Sequence, residues 1–127
     1  MSIKRQKSWF IQAESDFRAA QGMLRMNLYS HVCFLSQQVA EKCLKAIAYS
    51  RDYDFVKSHS LVEISKDLGI NGQLEDAARV LDLYYISARY PDALPDHIAP
   101  TLSFGKAQAE EALEKAIKFI EAAREIV

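Results

Sequence analysis

Residues 37–46 read Gln-Gln-Val-Ala-Glu-Lys-Cys-Leu-Lys-Ala, and this stretch carries an apolar and a polar stripe on one helix. At 3.6 residues per turn, the apolar side collects Val32, Leu35, Val39, Cys43 and Ile47. The polar side collects Gln38, Glu41, Lys42 and Lys45. We therefore expect a buried central helix over about residues 29–50 that also carries functional groups.

Helical periodicity continues on both sides of this stretch. Apolar residues recur at steps of three and four over about residues 7–26, over 74–88 and from about 103 onwards. A shorter helix is predicted after Ser60, which forms a capping box with Glu63, and it ends at Gly69. The sequence predicts an all-α fold, a four- to five-helix up-and-down antiparallel bundle.

Three prolines, at positions 91, 95 and 100, lie close together after the fourth predicted helix. Proline lacks an amide donor and clashes with the preceding turn of a helix. We therefore expect Pro91 to end the fourth helix and residues 91–100 to form an extended loop.

The composition is that of an ordinary folded protein. Residues 1–127 are expected to form a single domain, with 50% hydrophobic and 26% charged residues. The formal charge of -1, from 16 basic and 17 acidic residues, gives no overall attraction to nucleic acid or an anionic membrane. Any anion site must therefore be local.

The sequence contains no signal for a membrane or an export pathway. No apolar run approaches the roughly 20 residues that span a bilayer. Residues 1–8 are basic but precede no hydrophobic targeting segment. We expect a cytoplasmic protein with no membrane partner.

The cysteine, histidine and glycine positions fit no common metal or phosphate motif. Cys33 and Cys43 would lie roughly 15 Å apart in one helix, so we expect buried thiols and no mutual disulfide. The Cys and His spacings match no zinc site, and the four glycines form no phosphate-binding loop. We expect no metal and no cofactor.

Three segments resemble the HEPN family of small helical domains. They are residues 37–46, His59-Ser60-Leu61 and Ser87-Ala88-Arg89-Tyr90-Pro91-Asp92, in the family's order and approximate spacing. The resemblance covers most of the chain. It implies a helical bundle that often forms a homodimer and is often encoded beside a minimal nucleotidyltransferase, in arrangements resembling toxin–antitoxin pairs.

Many HEPN proteins are metal-independent ribonucleases with Arg, four to six further residues and then His, the Arg being followed by a polar residue. The nearest pairs here are Arg25 with His31, Arg51 with His59 and Arg89 with His97. The first has a suitable spacing, but Met26 follows the arginine, and the other two enclose one residue too many. We therefore expect no catalytic residue.

Seven residues are predicted to bind a nucleotide or phosphate: Gln38, Glu41, Lys42, Lys45, His59, Arg89 and Tyr90. Lysine and arginine supply charge, Gln38 and Glu41 supply directional hydrogen bonds, and an aromatic ring stacks on a base. His59 precedes a helix N-terminus, which favours an anion.

Each of these residues also has a purely structural interpretation. Glu41 and Lys45 have the spacing of a helical ion pair, and Gln37 or Gln38 suits the backbone of a loop. His59 is suited to local packing beside the Ser60 cap, and Arg89 to the last carbonyls of its helix.

Three functions remain open. The first is a non-catalytic HEPN module that binds a nucleotide or an RNA end, dimerises and pairs with a nucleotidyltransferase. The second is a ribonuclease with a displaced site, in which His59 or His97 acts as acid or base beside Arg89. The third is an interaction protein without a small ligand, for which the candidate contact residues are Tyr84, Tyr85, Leu94 and Ile98.

Overall fold

A computed structural model of the protein describes residues 4–127, so the first three residues of the N-terminal segment considered above lie outside it. The all-α prediction is confirmed, and this part of the chain contains no strand. The helices are α1 (Arg5–Arg25), α2 (Tyr29–Ser50), α3 (Leu61–Asp67), α4 (Gln73–Asp82), α5 (Tyr84–Ser87), α6 (Pro100–Ser103) and α7 (Lys106–Ile126). None of these helices is long and apolar enough to cross a bilayer.

Helix α2 is the centre of the bundle, as predicted. Fifteen of its 22 residues are buried, and it packs against both other long helices, α1 and α7. Small side chains such as Ala13, Ala40 and Ala116 are fully buried at these contacts, which brings the backbones close together. The core is completed by larger side chains such as Leu44 and Phe119.

The predicted cap of α3 is confirmed only in part. The Ser60 hydroxyl accepts a hydrogen bond from the Glu63 amide at 3.2 Å. The predicted return contact from Glu63 to the Ser60 amide is wrong, because that amide donates to the Ser58 hydroxyl at 3.0 Å. Ser58 in turn donates to the Glu63 carboxylate at 3.1 Å. The Ser58 hydroxyl therefore bridges the Ser60 amide and the Glu63 side chain, which a capping box would join directly.

The predicted fourth helix, residues 74–88, is interrupted at Leu83. The Leu83 amide bonds to the carbonyl of Val80, three residues back, so the helix tightens into a 3₁₀ turn between α4 and α5. Both segments remain right-handed at this point, since Leu83 has φ −61° and ψ −25°.

The predicted extended loop over residues 91–100 is instead built from short helical turns. Pro91 begins a 3₁₀ turn, Pro91–Ala93, and Pro100 begins α6. Pro95–His97 is a tight turn in which Asp96 and His97 have left-handed φ angles of 57° and 51°. Proline suits the first position of a helical turn, because its missing amide would have no partner there.

The last long helix begins later than predicted, at Lys106. Phe104 and Gly105 are extended and separate it from α6. Phe104 is buried, and its ring meets the buried Tyr84 ring edge to face at 5.7 Å. The extended residue that separates α6 from α7 is therefore the one whose ring packs against Tyr84 in the core.

Candidate functional site

The polar side of α2 begins with a glutamine pair. Gln37 is fully buried, and its amide donates to the His59 carbonyl at 3.2 Å and to the Glu41 carboxylate at 3.4 Å. Gln38 donates to the Gln37 side-chain oxygen at 2.8 Å. The structural interpretation is thus confirmed for Gln37, which ties the loop before α3 to the central helix.

Glu41 is the hub of this network. Its carboxylate accepts from the Lys45 ammonium at 2.9 Å and lies 3.1 Å from His59 Nδ1. Only 4% of Glu41 and 6% of Lys45 is exposed, so the two opposite charges neutralise each other inside the bundle. The Lys45 ammonium also lies 5.3 Å from the centre of the Trp9 ring.

Lys42 points to a different neighbour. Its ammonium forms an ion pair with Asp16 of α1, and both side chains are largely buried. A cavity of about 270 Å³ adjoins this pair and is lined by Ser8, Trp9, Gln12 and Lys42. Lys42 is therefore bonded to α1, and its hydrogen bond and ion pair involve neither His59 nor Arg89.

His59 connects the α2 network to a group of aromatic residues. Its ring stacks on Tyr85 with 5.2 Å between ring centres and an interplanar angle of 15°. The His59 side chain is 55% exposed, although its Nδ1 faces the buried Glu41. A ligand can therefore reach the imidazole from solvent.

Arg89 lies on the other side of this aromatic group. Its guanidinium carbon is 4.5 Å from the Phe34 ring centre, 4.6 Å from that of Tyr85 and 5.0 Å from that of Tyr90. Its Nε donates to the Tyr85 carbonyl at 2.7 Å, so the predicted interaction with the last turn of the helix is confirmed. We call Phe34, His59, Tyr85, Arg89 and Tyr90 the Arg89 site.

Arg89 differs from comparable cations in its counter-ions. Within residues 4–127, four lysine or arginine residues are buried or half-buried: Lys42, Lys45, Arg89 and Lys115. The three lysines pair with Asp16, Glu41 and Glu111. Arg89 has no carboxylate at ion-pair distance in this part of the chain, and Asp92, three residues further on, lies beside His97 at 3.1 Å.

Two cavities flank the Arg89 site. One, of about 290 Å³, lies between the start of α2 and the start of α6 and is lined by Arg89, Phe34 and His31 among others. The other, of about 250 Å³, lies beside His59, Tyr85 and Ile86. A planar group and a phosphate thus both have space next to the Arg89 site.

Six of the seven predicted site residues form one connected strip. Contacts run from Gln38 and Gln37 to Glu41 and Lys45, then through His59 and Tyr85 to Arg89 and Tyr90. Lys42 is the exception. Sequence reasoning missed Tyr85 and Phe34 as members of the site, although the spacing of Tyr85 four residues before Arg89 signals a helical contact.

Asp82 at the end of α4 was also missed. Its carboxylate accepts from the amides of Leu61 and Val62 at 2.7 and 3.0 Å and from the Ser60 hydroxyl at 3.0 Å. These contacts satisfy the free amides at the start of α3. The helix N-terminus predicted to favour an anion beside His59 therefore already has a carboxylate.

The cysteines contribute no nucleophile. Both are buried and unpaired, and burial raises the pKa of Cys33 and of Cys43 to about 12. Both thiols therefore stay protonated at neutral pH and lack the thiolate that nucleophilic chemistry needs. Burial likewise raises the pKa of Tyr84, which packs in the core.

Comparison with known proteins gives a consistent family. The HEPN domain matches residues 6–126. The structure is similar to that of TT1696 from Thermus thermophilus, with TM-score 0.91 and 35% identity over 98% of this chain and 100% of that one. A search of curated proteins gives no significant match.

Two further solved structures agree. ST0689, an archaeal HEPN homologue, has TM-score 0.82 and 29% identity over 96% of this chain and 97% of that chain. A HEPN domain protein from Thermotoga maritima has TM-score 0.73 and 27% identity, covering 93% and 95% of the two chains. With the family match extending over nearly its whole length, this chain belongs to the HEPN domain family.

Proposed function

We propose that this HEPN protein is a non-catalytic module that binds a nucleotide or an RNA end at the Arg89 site. In this proposal the Arg89 guanidinium binds phosphate, while Tyr90 and His59 offer rings to a base. Tyr90 is 51% exposed, and both rings are open to solvent. Aromatic rings bind bases of any sequence, because every base has a flat face.

The observation that carries the proposal is the missing counter-ion of Arg89. A partly buried cation loses hydration and normally regains stability from a paired carboxylate. Lys42 and Lys45 have such partners, whereas Arg89 rests on aromatic rings and uses only Nε for an internal hydrogen bond. Its two terminal nitrogens therefore suit a phosphate, which a guanidinium binds through two parallel hydrogen bonds.

The polar residues of α2 take a supporting role in the proposed site. Glu41 holds Nδ1 of His59 and thereby sets the direction of the ring, and Lys45 neutralises Glu41. Gln38 reaches the site only through Gln37. These residues are expected to change ligand affinity mainly by displacing His59.

The test is calorimetric titration of the purified protein with a panel of nucleotides and short RNA ends, in buffer without metal ions. We expect saturable binding that Arg89→Ala weakens at least tenfold. Arg79→Ala is the matched control, because Arg79 is exposed on α4 and pairs with Glu75. Absence of binding to any ligand of the panel, with a folded protein, would contradict the proposal.

Exposed apolar side chains on the same face support self-association. Leu83, Ile86 and Tyr90 recur at helical spacing and are 67%, 47% and 51% exposed. Of the contact residues considered from sequence, Tyr84 is buried, Tyr85 and Leu94 are partly buried, and Ile98 is 37% exposed. We therefore assign the proposed homodimer contact to Leu83 and Ile86, and Tyr90 at the edge of this pair stays open to a base.

Light scattering after size exclusion tests the homodimer. We expect a dimer that Leu83→Glu converts to a monomer, whereas Ile126→Glu, at an exposed position near the end of α7, leaves it intact. A wild-type monomer at high concentration would remove the assignment. The family resemblance also motivates a nucleotidyltransferase partner in a toxin–antitoxin-like pair, and copurification of the two coexpressed chains is its test.

One geometric feature favours a metal-independent ribonuclease as a second candidate. His59 Nδ1 faces the buried Glu41 carboxylate at 3.1 Å, which leaves Nε2 for proton transfer beside Arg89. His97 lacks such an environment, since it and Asp92 are largely exposed. RNA cleavage in EDTA that His59→Ala abolishes would support this function, and inertness with and without a partner chain would exclude it.

A further inference from the structure

We propose that the start of α2 and Arg89 together bind phosphate, and that the ligand therefore carries a terminal phosphate, a monoester. This inference rests on the proposed function and deepens it, because it distinguishes a nucleotide or a phosphorylated RNA end from an internal phosphodiester. It follows from three features of the cavity of about 290 Å³ between the start of α2 and the start of α6: its charge, its free amides and a buried hydroxyl.

The charge of this cavity is positive. Arg89 lines it, and among residues 4–127 no acidic residue does. The larger cavity of about 440 Å³ between α1 and α7 differs, because its two arginines, Arg18 and Arg124, are accompanied by Glu14 and Glu121. Arg124 lies 3.4 Å from Glu14 there. An anion that enters the smaller cavity therefore meets a guanidinium without a competing carboxylate.

The first amides of α2 have no acceptor in the described part of the chain. The residue before the helix, Leu28, has an apolar side chain that cannot cap it, and the first internal hydrogen bond joins the Val32 amide to the Leu28 carbonyl at 3.1 Å. The amides of Tyr29, Ser30 and His31 precede that bond and are free. The first turn of this 22-residue helix also contains no acidic residue, so its positive end is not neutralised. The start of α3 differs, because a carboxylate already occupies its amides.

A buried hydroxyl points to a ligand independently of the helix start. Ser30 lines the cavity, only 2% of it is exposed, and its hydroxyl forms no hydrogen bond with residues 4–127. Ser36 and Ser65 also lack a partner in this range, but their oxygens are enclosed in the core, whereas Ser30 borders open space. Buried hydroxyls are normally paired with protein or water. Ser30 therefore offers the cavity a donor that the described fold does not use.

The number of donors suits a phosphate monoester better than a diester. Arg89 offers two terminal nitrogens, Ser30 a hydroxyl, and the start of α2 its free amides. His31 and Thr101 are exposed and add side-chain donors to the same cavity. A monoester presents three free oxygens and close to two negative charges at pH 7, whereas a diester within a strand has two free oxygens and one charge. We call Ser30, His31, Arg89 and Thr101 the monoester site.

The aromatic rings around Arg89 agree with a ligand that is bound by its end. Phe34 lines the cavity and contacts the guanidinium, and Tyr90 contacts the same guanidinium and is 51% exposed. His59 and Tyr85 line the neighbouring cavity. A terminal phosphate at the monoester site thus leaves the Tyr90 and His59 rings free for the base, as the proposed function requires.

The experiment compares three ligands by calorimetry in buffer without metal ions: the dinucleotide ApA, its 5′-phosphorylated form and its 3′-phosphorylated form. All three contain the same bases and one internal diester, so they differ only in the terminal monoester. We expect at least one phosphorylated form to bind about tenfold more tightly than ApA, because hydrogen bonds to a doubly charged group are strong. The comparison of the two forms shows which end of a strand the site accepts.

Two substitutions test the monoester site without touching Arg89. Ser30→Ala removes the hydroxyl and should weaken the phosphorylated form about tenfold while ApA stays unchanged. Thr101→Glu places a carboxylate in the cavity and should abolish the preference for the monoester. Thr101 is exposed in the first turn of α6, where a carboxylate is favourable, so the melting temperature should stay level, which excludes unfolding as the cause. Ser103→Glu, at an exposed position of α6 outside the cavity, is the matched control.

The outcomes distinguish this inference from the proposed function. If ApA and both phosphorylated forms bind equally well, and Arg89→Ala weakens all three, the monoester site is wrong and the proposed function stands. If no nucleotide or dinucleotide binds to the folded protein, both are wrong. A preference for the monoester that survives both Ser30→Ala and Thr101→Glu would place the phosphate elsewhere and overturn the inference.

Discussion

Two regions of this HEPN protein place a cation near an aromatic ring, yet they treat its charge in opposite ways. In the middle of α2, Lys45 is buried between the Trp9 ring and the Glu41 carboxylate. Beside α5, Arg89 lies on three aromatic rings and has no carboxylate partner in the described part of the chain. The first charge is compensated by a carboxylate within the fold, and the second is not.

Under the proposed function, this difference separates structural charge from functional charge better than burial or residue type alone. A buried ion pair stabilises the fold only while both partners are present. A half-buried cation on aromatic rings needs no partner to keep the fold, and it gains most when an anion arrives. The same substitution, a cation replaced by methionine, should therefore have unequal consequences in the two regions.

The largest effect is expected for Lys45→Met. The change leaves the Glu41 carboxylate buried without its cation, which should lower the free energy of unfolding by about 3–5 kcal/mol. Urea denaturation followed by circular dichroism measures the loss. The double variant Glu41→Gln/Lys45→Met should recover most of it, because the glutamine is neutral and still bonds to Gln37 and His59. A single variant as stable as the wild type would show that Lys45 does not compensate Glu41.

The cysteine thiols provide the next effect, and it depends on pH. Burial raises their pKa from 9.0 to about 12, so the unfolded chain releases these protons at lower pH than the folded one. The free energy of unfolding should therefore be unaffected by the thiols at pH 8 and should fall as the pH rises past 9, by about 2 kcal/mol for each thiol at pH 10.5. Urea titrations at pH 8 and 10.5 test this, and Cys43→Ala should reduce the difference.

A smaller effect is expected for Lys42→Met. The ion pair of Lys42 with Asp16 joins α2 to α1, but both side chains keep some contact with water. Asp16 also retains a hydrogen bond from Gln12 at 3.0 Å. We expect a loss of about 1 kcal/mol in the same urea assay. A loss as large as that of Lys45→Met would mean that the stability lost on removing a lysine from α2 depends on its position in the helix and not on how deeply its ion pair is buried.

The helices were predictable from the sequence because periodicity records which side of each helix is buried. The positions of α1 and α2 agree closely with the predicted ranges. The errors lie where local hydrogen bonding determines the outcome: the 3₁₀ step at Leu83, the proline turns after Tyr90 and the start of α7 after Phe104. Proline restricts a helix interior but initiates a turn, and sequence alone does not separate these roles.

Some residues of the candidate site were predictable from the sequence, but their contacts were not. Periodicity and the family resemblance pointed to Glu41, Lys45, His59 and Arg89, and these residues do meet. Whether a lysine has a counter-ion depends on a neighbour from another helix, as Asp16 of α1 shows for Lys42. The stacking of His59 on Tyr85 joins residues 26 positions apart and arises from tertiary packing, which no spacing in the sequence indicates.

The smallest effect on stability is expected for Arg89→Met, and it is the sharpest test of the comparison. Methionine keeps an apolar stem against Phe34 and Tyr85 and loses one hydrogen bond to a carbonyl, while no carboxylate is left without a cation. We expect the free energy of unfolding to fall by less than about 1 kcal/mol, because removal of a half-buried charge offsets part of the lost hydrogen bond and cation–π contacts. Nucleotide binding should nevertheless disappear in calorimetry, because the guanidinium that binds the phosphate is gone. Arg89→Lys should restore only part of the affinity, since an ammonium keeps the charge but not the two parallel donors. If Arg89→Met instead destabilised the protein as strongly as Lys45→Met, Arg89 would be a structural cation, and the absence of a carboxylate would carry no functional meaning.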